Sequence, residues 1–440
     1  MAASIPGPAL PGLSPQPATG RPRPRSGAKL AVLLALVLAA AAGIAGYLMG
    51  EAKSVVPVWD PVWVRALLDR PLDVAVPGQG FWVAGYWVGY DLESLRTLQQ
   101  RSPYLDQVIA FSYGFSPDGS LQGRDPFVLR GVVAKPKRIL LFANLTDGEF
   151  SSDMAQALLT DPAVRARSQQ EMVAKALDYG ASGVQLDFEG VPKELRSQLT
   201  AYVRDLGQTL HRKGLSLSMA VPAKTADSVN SSWSGAFDYA ALGATLDEMY
   251  VMAYDEHYRL GPPGPVASLP WTEKVIRYAI SVVPTKKLIL GVPGYGYDWA
   301  STSRPGPEAS SGETTLAGGG NGGAKSVPAR SAAKLLDQAQ AQVHWDPLMG
   351  ENVAVYGNAD NAHTVWYPDD RSLQAKLALA RQYNLKGVAL WRLGLESSTY
   401  WQPFAAWRDA KDEATPPGTT PGASPGATSG EAPGRSPKNR

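Results

Sequence analysis

From residue 81 to about 410 the chain alternates between two hydrophobic rhythms. Short runs are apolar throughout or alternate every second position; longer ones carry apolar residues at i, i+3 and i+4. The short runs read as strands at 81–86, 107–113, 138–144, 183–189, 215–221, 248–254, 287–292 and 387–391. The longer ones read as helices at 91–100, 154–160, 163–179, 193–212, 271–283 and 373–383. Eight strands with intervening helices predict an α/β fold, a closed (β/α)8 TIM barrel over 81–410. An open doubly wound sheet is the alternative. It usually carries a Gly-rich phosphate loop after its first strand, and none follows 81–86.

About ninety residues separate the last two strands, too many for one crossover. A small α+β insertion on the barrel rim is predicted over about 301–367. It comprises a Gly/Ser-rich loop from Ser301 to Lys325, a helix from Ser331 to Val343, and short strands at 353–356 and 364–367.

The ends read differently. Residues 1–29 are rich in Pro, Gly and Ser, with Arg21, Arg23, Arg25 and Lys29 near their close, a disordered basic segment. Residues 30–50 carry no charge and are dominated by Leu, Ala and Val. At 1.5 Å per residue that run spans a hydrocarbon core of about 30 Å. With the basic flank before it and Glu51 after it, it reads as a transmembrane signal anchor with a cytoplasmic N-terminus. The small residues around Ala40 to Gly46 leave cleavage as a signal peptide open. Residues 51–80 form a linker, and 411–440 a disordered tail rich in Pro, Gly, Ser and Thr.

The strand at 183–189 carries the candidate chemistry. Val184, Leu186 and Phe188 point one way, and Gln185, Asp187 and Glu189 the other. Two carboxylates therefore share one polar face at the C-terminal end of a strand, where barrel enzymes place catalytic groups. In a partly desolvated site they cannot easily both be charged, so one is held protonated and ready to act as an acid. The competing reading is an edge strand whose acids face water.

Composition narrows the field. A net charge of +2 gives no field for nucleic acid. The absence of cysteine excludes disulfides, thiolate zinc sites and lipid attachment at cysteine. His211, His257, His344 and His363 have no ligand spacing, so no metal site is predicted, and no cofactor. Twelve Trp and eighteen Tyr suit flat sugar-binding faces, although barrels also bury many aromatics.

The stretch Ser182, Gln185, Asp187, Glu189 resembles the DxxDxDxE signature strand of family 18 glycoside hydrolases, with the last two positions matching and the first two not. Met252-Ala253-Tyr254-Asp255 is similar to the family's M-x-Y-D, and Trp391 stands where the family has a Trp under its central sugar. The segment from Gly291 to Trp299, with its YGYDW ending, and His363 to Tyr367 look like the spore-germination and cortex-lytic N-acetylglucosaminidase branch. The resemblance covers about 81–407.

The resemblance implies a membrane-anchored glycosidase cutting β-1,4 bonds at N-acetylglucosamine in peptidoglycan or chitin-like polymers by substrate-assisted retaining catalysis. Glu189 would be the acid/base, Asp187 would hold the acetamide and steady the oxazolinium ion, and Tyr254 would bond the acetamide carbonyl. Gln185, Asp255, Met252, Trp391, Tyr86 and Tyr295 would contact substrate. Taken singly, Tyr254 and Trp391 also suit barrel core, and Asp255 a helix N-cap. Gln185 replaces an acid yet can still donate a hydrogen bond to Asp187. A catalytically weak, lectin-like envelope protein is the second reading; the presence of Glu189 favours the enzyme.

Overall fold

Eight strands fall where the hydrophobic pattern puts them. The computed structural model describes residues 81–406 apart from 134, 147 and 302–322. The expected basic segment, anchor, linker and tail lie outside the described residues, as does most of the Gly/Ser-rich loop. No helix among the described residues is long and apolar enough to cross a membrane.

The chain runs β1 (Trp82–Val88), α1 (Leu92–Arg101), β2 (Gln107–Phe115), β3 (Leu121–Gly123), α2 (Val128–Val132) and β4 (Lys137–Ala143). Two-residue strands β5 (Leu145–Thr146) and β6 (Glu149–Phe150) form a hairpin before α3 (Ser152–Thr160) and α4 (Pro162–Tyr179). Then come β7 (Gly183–Asp187), α5 (Arg196–Arg212), β8 (Ser216–Pro222), α6 (Tyr239–Thr245), β9 (Glu248–Met252), α7 (Leu269–Val282) and β10 (Leu288–Pro293). The rim insertion follows with β11 (Tyr295–Ala300), β12 (Lys325–Pro328), α8 (Ala329–Gln338), β13 (Gln342–Asp346), β14 (Glu351–Tyr356) and β15 (His363–Tyr367). The barrel is completed by α9 (Asp370–Gln382) and β16 (Gly387–Trp391).

Strands β1, β16, β10, β9, β8, β7, β4 and β2 pair in that order, all parallel, and β1 pairs with β2 to close the ring. The helix boundaries have local causes. Ser151 accepts from Met154 N at the start of α3, and Asp161 caps α4 with Pro162 in its first turn. Gly180, at φ 71°, ends α4 in the left-handed conformation that glycine adopts without strain.

Period-two alternation sorts the core into two shells. Val184, Leu186 and Phe188 join the large shell between the strands and the helices. Ala84, Tyr86, Ile109, Ile139, Leu141, Tyr250, Ile289 and Ala389 fill the barrel itself. Truncating a fully buried member such as Phe188 to alanine would cost about 3–5 kcal/mol.

The insertion is larger than the sequence pattern suggested. It begins at Tyr295 rather than at 301, and its sheet has five strands in the order β12-β11-β15-β14-β13. Tyr295 to Trp299, just after the seventh barrel strand, belongs to a separate strand that leaves the barrel after Gly294 and pairs antiparallel with β12 and β15. Val343 lies in β13, not in a helix, because α8 stops at Gln338 and Gln340 takes a positive φ.

Candidate active site

Strand β7 lies between β4 and β8, so it is an interior strand and not the solvated edge of the competing reading. Gln185 is 0% exposed, Asp187 3% and Glu189 7%. The strand ends at Asp187, two residues sooner than its alternation suggests. Beyond it a side chain holds the backbone. Asn144, which directly follows β4, accepts from Glu189 N through Oδ1 at 2.8 Å and donates from Nδ2 to Glu189 O at 2.8 Å.

Gln185 does not donate to Asp187. Its Nε2 donates to Ser218 Oγ at 3.2 Å instead. Ser218 is its register partner on β8, about 5 Å away between strands, whereas residues two apart on one strand stand about 7 Å apart. Asp187 Oδ1 and Gln185 Oε1 are buried without a hydrogen-bond partner among the described residues.

Burial dominates the electrostatics. It pushes the Asp187 carboxyl up to about 7. It raises Glu189 well above the usual carboxylate range, and the facing charges of Asp187 and Asp255 add to the effect. Asp187 and Glu189 therefore titrate as a pair that keeps a proton near neutral pH. Asp255 is raised to about 6 by burial, against the opposing pull of hydrogen bonds from two tyrosines.

Those tyrosines come from the insertion. Tyr295 OH donates to Asp255 Oδ1 at 2.7 Å and Tyr297 OH to the same oxygen at 3.1 Å. Asp255 has φ 60° and caps no helix, which corrects the N-cap reading. Tyr254, just after β9, stands edge-on to Tyr295 with centroids 6.4 Å apart. Its hydroxyl is raised by burial and by the nearby Tyr86, Asp187, Glu189 and Asp255. Trp391 ends β16 half-buried, edge-on to Tyr86 at 5.1 Å and to Phe111 at 6.0 Å. Tyr86 in turn lies beside Gln185 and Asp187.

The fold thus gathers Gln185, Asp187, Glu189, Tyr254, Asp255, Tyr295, Tyr86 and Trp391 at the C-terminal mouth of one barrel. Met252 is the weakest member. It is half-buried at the end of β9, in register with Pro222 of β8. Two residues of the candidate site are not among those the sequence predicts. Tyr297 follows Tyr295 by two positions on the same face of β11, a spacing visible in YGY. Asn144 is a polar residue closing an apolar strand, a weaker signal. The four histidines are scattered: His211 on α5, His257 in the loop after β9, His344 on β13 and His363 on β15.

The geometry has counterparts. The family described as glycosyl hydrolases family 18 matches residues 137–396. The uncharacterized glycosylase YvbX of Bacillus subtilis is 29% identical over 72% of this chain and 90% of that protein. The cortical fragment-lytic enzyme of the same organism is 31% identical over 69% of this chain and 68% of its own. Among solved structures, a chitinase from Chromobacterium violaceum superposes with TM-score 0.65 at 29% identity, covering 75% of this chain and 99% of that one. The Bacillus megaterium spore cortex-lytic enzyme SleL gives TM-score 0.65 at 25% identity, covering 75% and 74%. A barrel of this topology, with Asp187 and Glu189 buried at its mouth and this match spanning more than half the sequence, belongs to glycoside hydrolase family 18 and is a glycosidase.

Proposed function

We propose that the protein cleaves β-1,4 bonds at N-acetylglucosamine in peptidoglycan or a chitin-like polymer, with the substrate's own acetamide as nucleophile. The observation that carries this reading is the buried carboxyl of Glu189, biased toward its protonated form, in a site shared with Asp187 and Tyr254. The acetamide oxygen of the −1 sugar attacks C1 as the glycosidic C–O bond breaks, and Glu189 gives its proton to the leaving oxygen. Asp187 steadies the cationic oxazolinium, and the Tyr254 hydroxyl donates to the acetamide oxygen. Water then attacks C1 on the vacated face. Glu189 takes its proton, the ring opens, and the configuration is retained.

Trp391 offers a ring face for the −1 sugar, and Asp255 with Tyr295 a polar wall beside it. Digestion of purified peptidoglycan and of chitin oligomers, followed by mass spectrometry, tests the reading and separates the two polymers. De-N-acetylated oligomers are expected to bind without being cut at that sugar. Comparable cleavage of a cellulose oligomer would overturn the mechanism.

The uncharged run 30–50 behind four basic residues supports a second element of the proposal, a single-pass anchor with the barrel outside the cytoplasm. Protease added to intact spheroplasts should remove the barrel from the membrane fraction. A soluble mature form beginning near Tyr47 would instead establish cleavage.

A further inference from the structure

The parallel ladder between β4 and β7 ends at the pair Ala143 and Asp187. Glu189 lies two residues further on, where no strand pairing reaches it. Its carboxyl oxygens have no hydrogen-bond partner among the described residues. With no side-chain hydrogen bond to hold it, that carboxyl depends on its backbone and on the packing around it for its place.

That backbone is clamped from one neighbouring segment. Asn144 is 0% exposed, and its amide acts toward Glu189 as a strand neighbour would, accepting from N and donating to O, both at 2.8 Å. The same Nδ2 donates to Ser151 O at 2.9 Å, so both amide hydrogens and the amide oxygen are engaged. Ser151 N returns a bond to Asn144 O at 3.0 Å, closing the neck of the β5–β6 hairpin. One residue on, Ser152 Oγ donates to Gly190 O at 2.7 Å. Gly190, at φ 61°, turns the chain away, and a β-carbon there would meet Ser152 Oγ at 3.2 Å. The hairpin is itself seated in the barrel mouth, since Leu145 and Phe150 pack against the inner core, as Trp391 does.

We infer that this hairpin neck is the device that places the Glu189 carboxyl, with Asn144 as the positioning residue and Ser152 as its support. The inference rests on the reading of Glu189 as the acid. A group that moves a proton must stay within hydrogen-bond reach of it, and a displacement of about 1 Å can cost on the order of 100-fold in rate. Asn144 therefore acts through Glu189, on proton transfer rather than on sugar binding.

The test compares two substrates in the full-length protein: an unactivated N-acetylglucosamine oligomer, whose leaving group needs the proton, and a nitrophenyl glycoside, whose leaving group does not and whose first-turnover nitrophenol release reads bond cleavage alone, apart from the later step in which Glu189 acts as base. Glu189→Gln is the reference and should lose far more on the oligomer. Asn144→Ala is expected to follow the same pattern, with kcat on the oligomer down about 10–100-fold, KM within about threefold, and a much smaller loss on the nitrophenyl glycoside. Asn144→Asp keeps the acceptor for Glu189 N but loses the donors, and should fall in between. Ser152→Ala alters an exposed side chain and should fold like the wild type, with a smaller loss of the same selectivity. If Asn144→Ala does not fold, these two variants carry the test. Equal losses on both substrates, or none, would overturn the positioning role while leaving the acid assignment intact. Absence of selectivity in Glu189→Gln as well would remove both.

Discussion

Gly291 and Tyr254 approach so closely that a β-carbon on the glycine would lie 2.9 Å from Cε1 of the tyrosine. It would also lie 2.7 Å from the Val251 carbonyl oxygen. Gly291 points into the barrel from β10, and the tyrosine ring occupies the space a side chain would take. The carbonyl is backbone and cannot swing aside. Gly291→Ala should therefore destabilise the fold by about 1–3 kcal/mol through overpacking. It should also displace the Tyr254 ring and lower kcat by up to about 100-fold. Thermal unfolding and oligomer cleavage measured together check this; unchanged stability and activity would contradict it.

The tyrosines on Asp255 give a pH prediction. Their hydrogen bonds favour the ionised carboxylate, and that negative charge helps hold the Glu189 proton. Tyr297→Phe removes one bond, so Asp255 stays neutral to higher pH and its push on Glu189 weakens. Glu189 then gives up its proton more easily. The basic limb of the kcat/KM profile should move to lower pH, and further in the double variant with Tyr295→Phe. A shift to higher pH would contradict the linkage.

Asp187 should cost stability above neutral pH. Its folded pKa, about 7, lies above the ordinary value of 3.8. Between these values the folded state holds more protons than the unfolded one, so stability falls as pH rises from about 4 to about 7 and then levels off. Asn never ionises at this position. Asp187→Asn should therefore melt like the wild type near pH 4 and higher at pH 8, with a gain on the order of a few kcal/mol. On the proposed mechanism its activity should fall at every pH, through lost stabilisation of the oxazolinium. An advantage at pH 4 that vanished at pH 8 would refute the buried, proton-retaining carboxyl.

Much of this site was legible in the sequence because barrel strands carry their function in their alternation. Once Val184, Leu186 and Phe188 are assigned outward, Asp187 is forced inward. Tyr254, Asp255 and Trp391 follow from their places at the ends of other strands. Three features were not legible. Period-two alternation continues through Glu189 although pairing stops at Asp187, because it registers which way side chains point and not whether a neighbouring backbone is present. YGYDW alternates like a barrel strand, and only the antiparallel partners β12 and β15 show that it belongs to the insertion. Asn144 works through the backbone of a residue 45 positions away, a contact that no local pattern records.

The central claim is that Glu189 donates the proton that releases the sugar. It is tested most directly by Glu189→Gln on an unactivated N-acetylglucosamine oligomer, with products followed by mass spectrometry and folding by thermal melting. Glutamine preserves the shape, and the backbone bonds to Asn144 remain, so the melting temperature should be nearly unchanged near pH 5. General acid catalysis contributes about 10²–10⁴-fold, so cleavage should fall at least that far. Full activity in a folded Glu189→Gln protein would place the acid elsewhere and contradict the account.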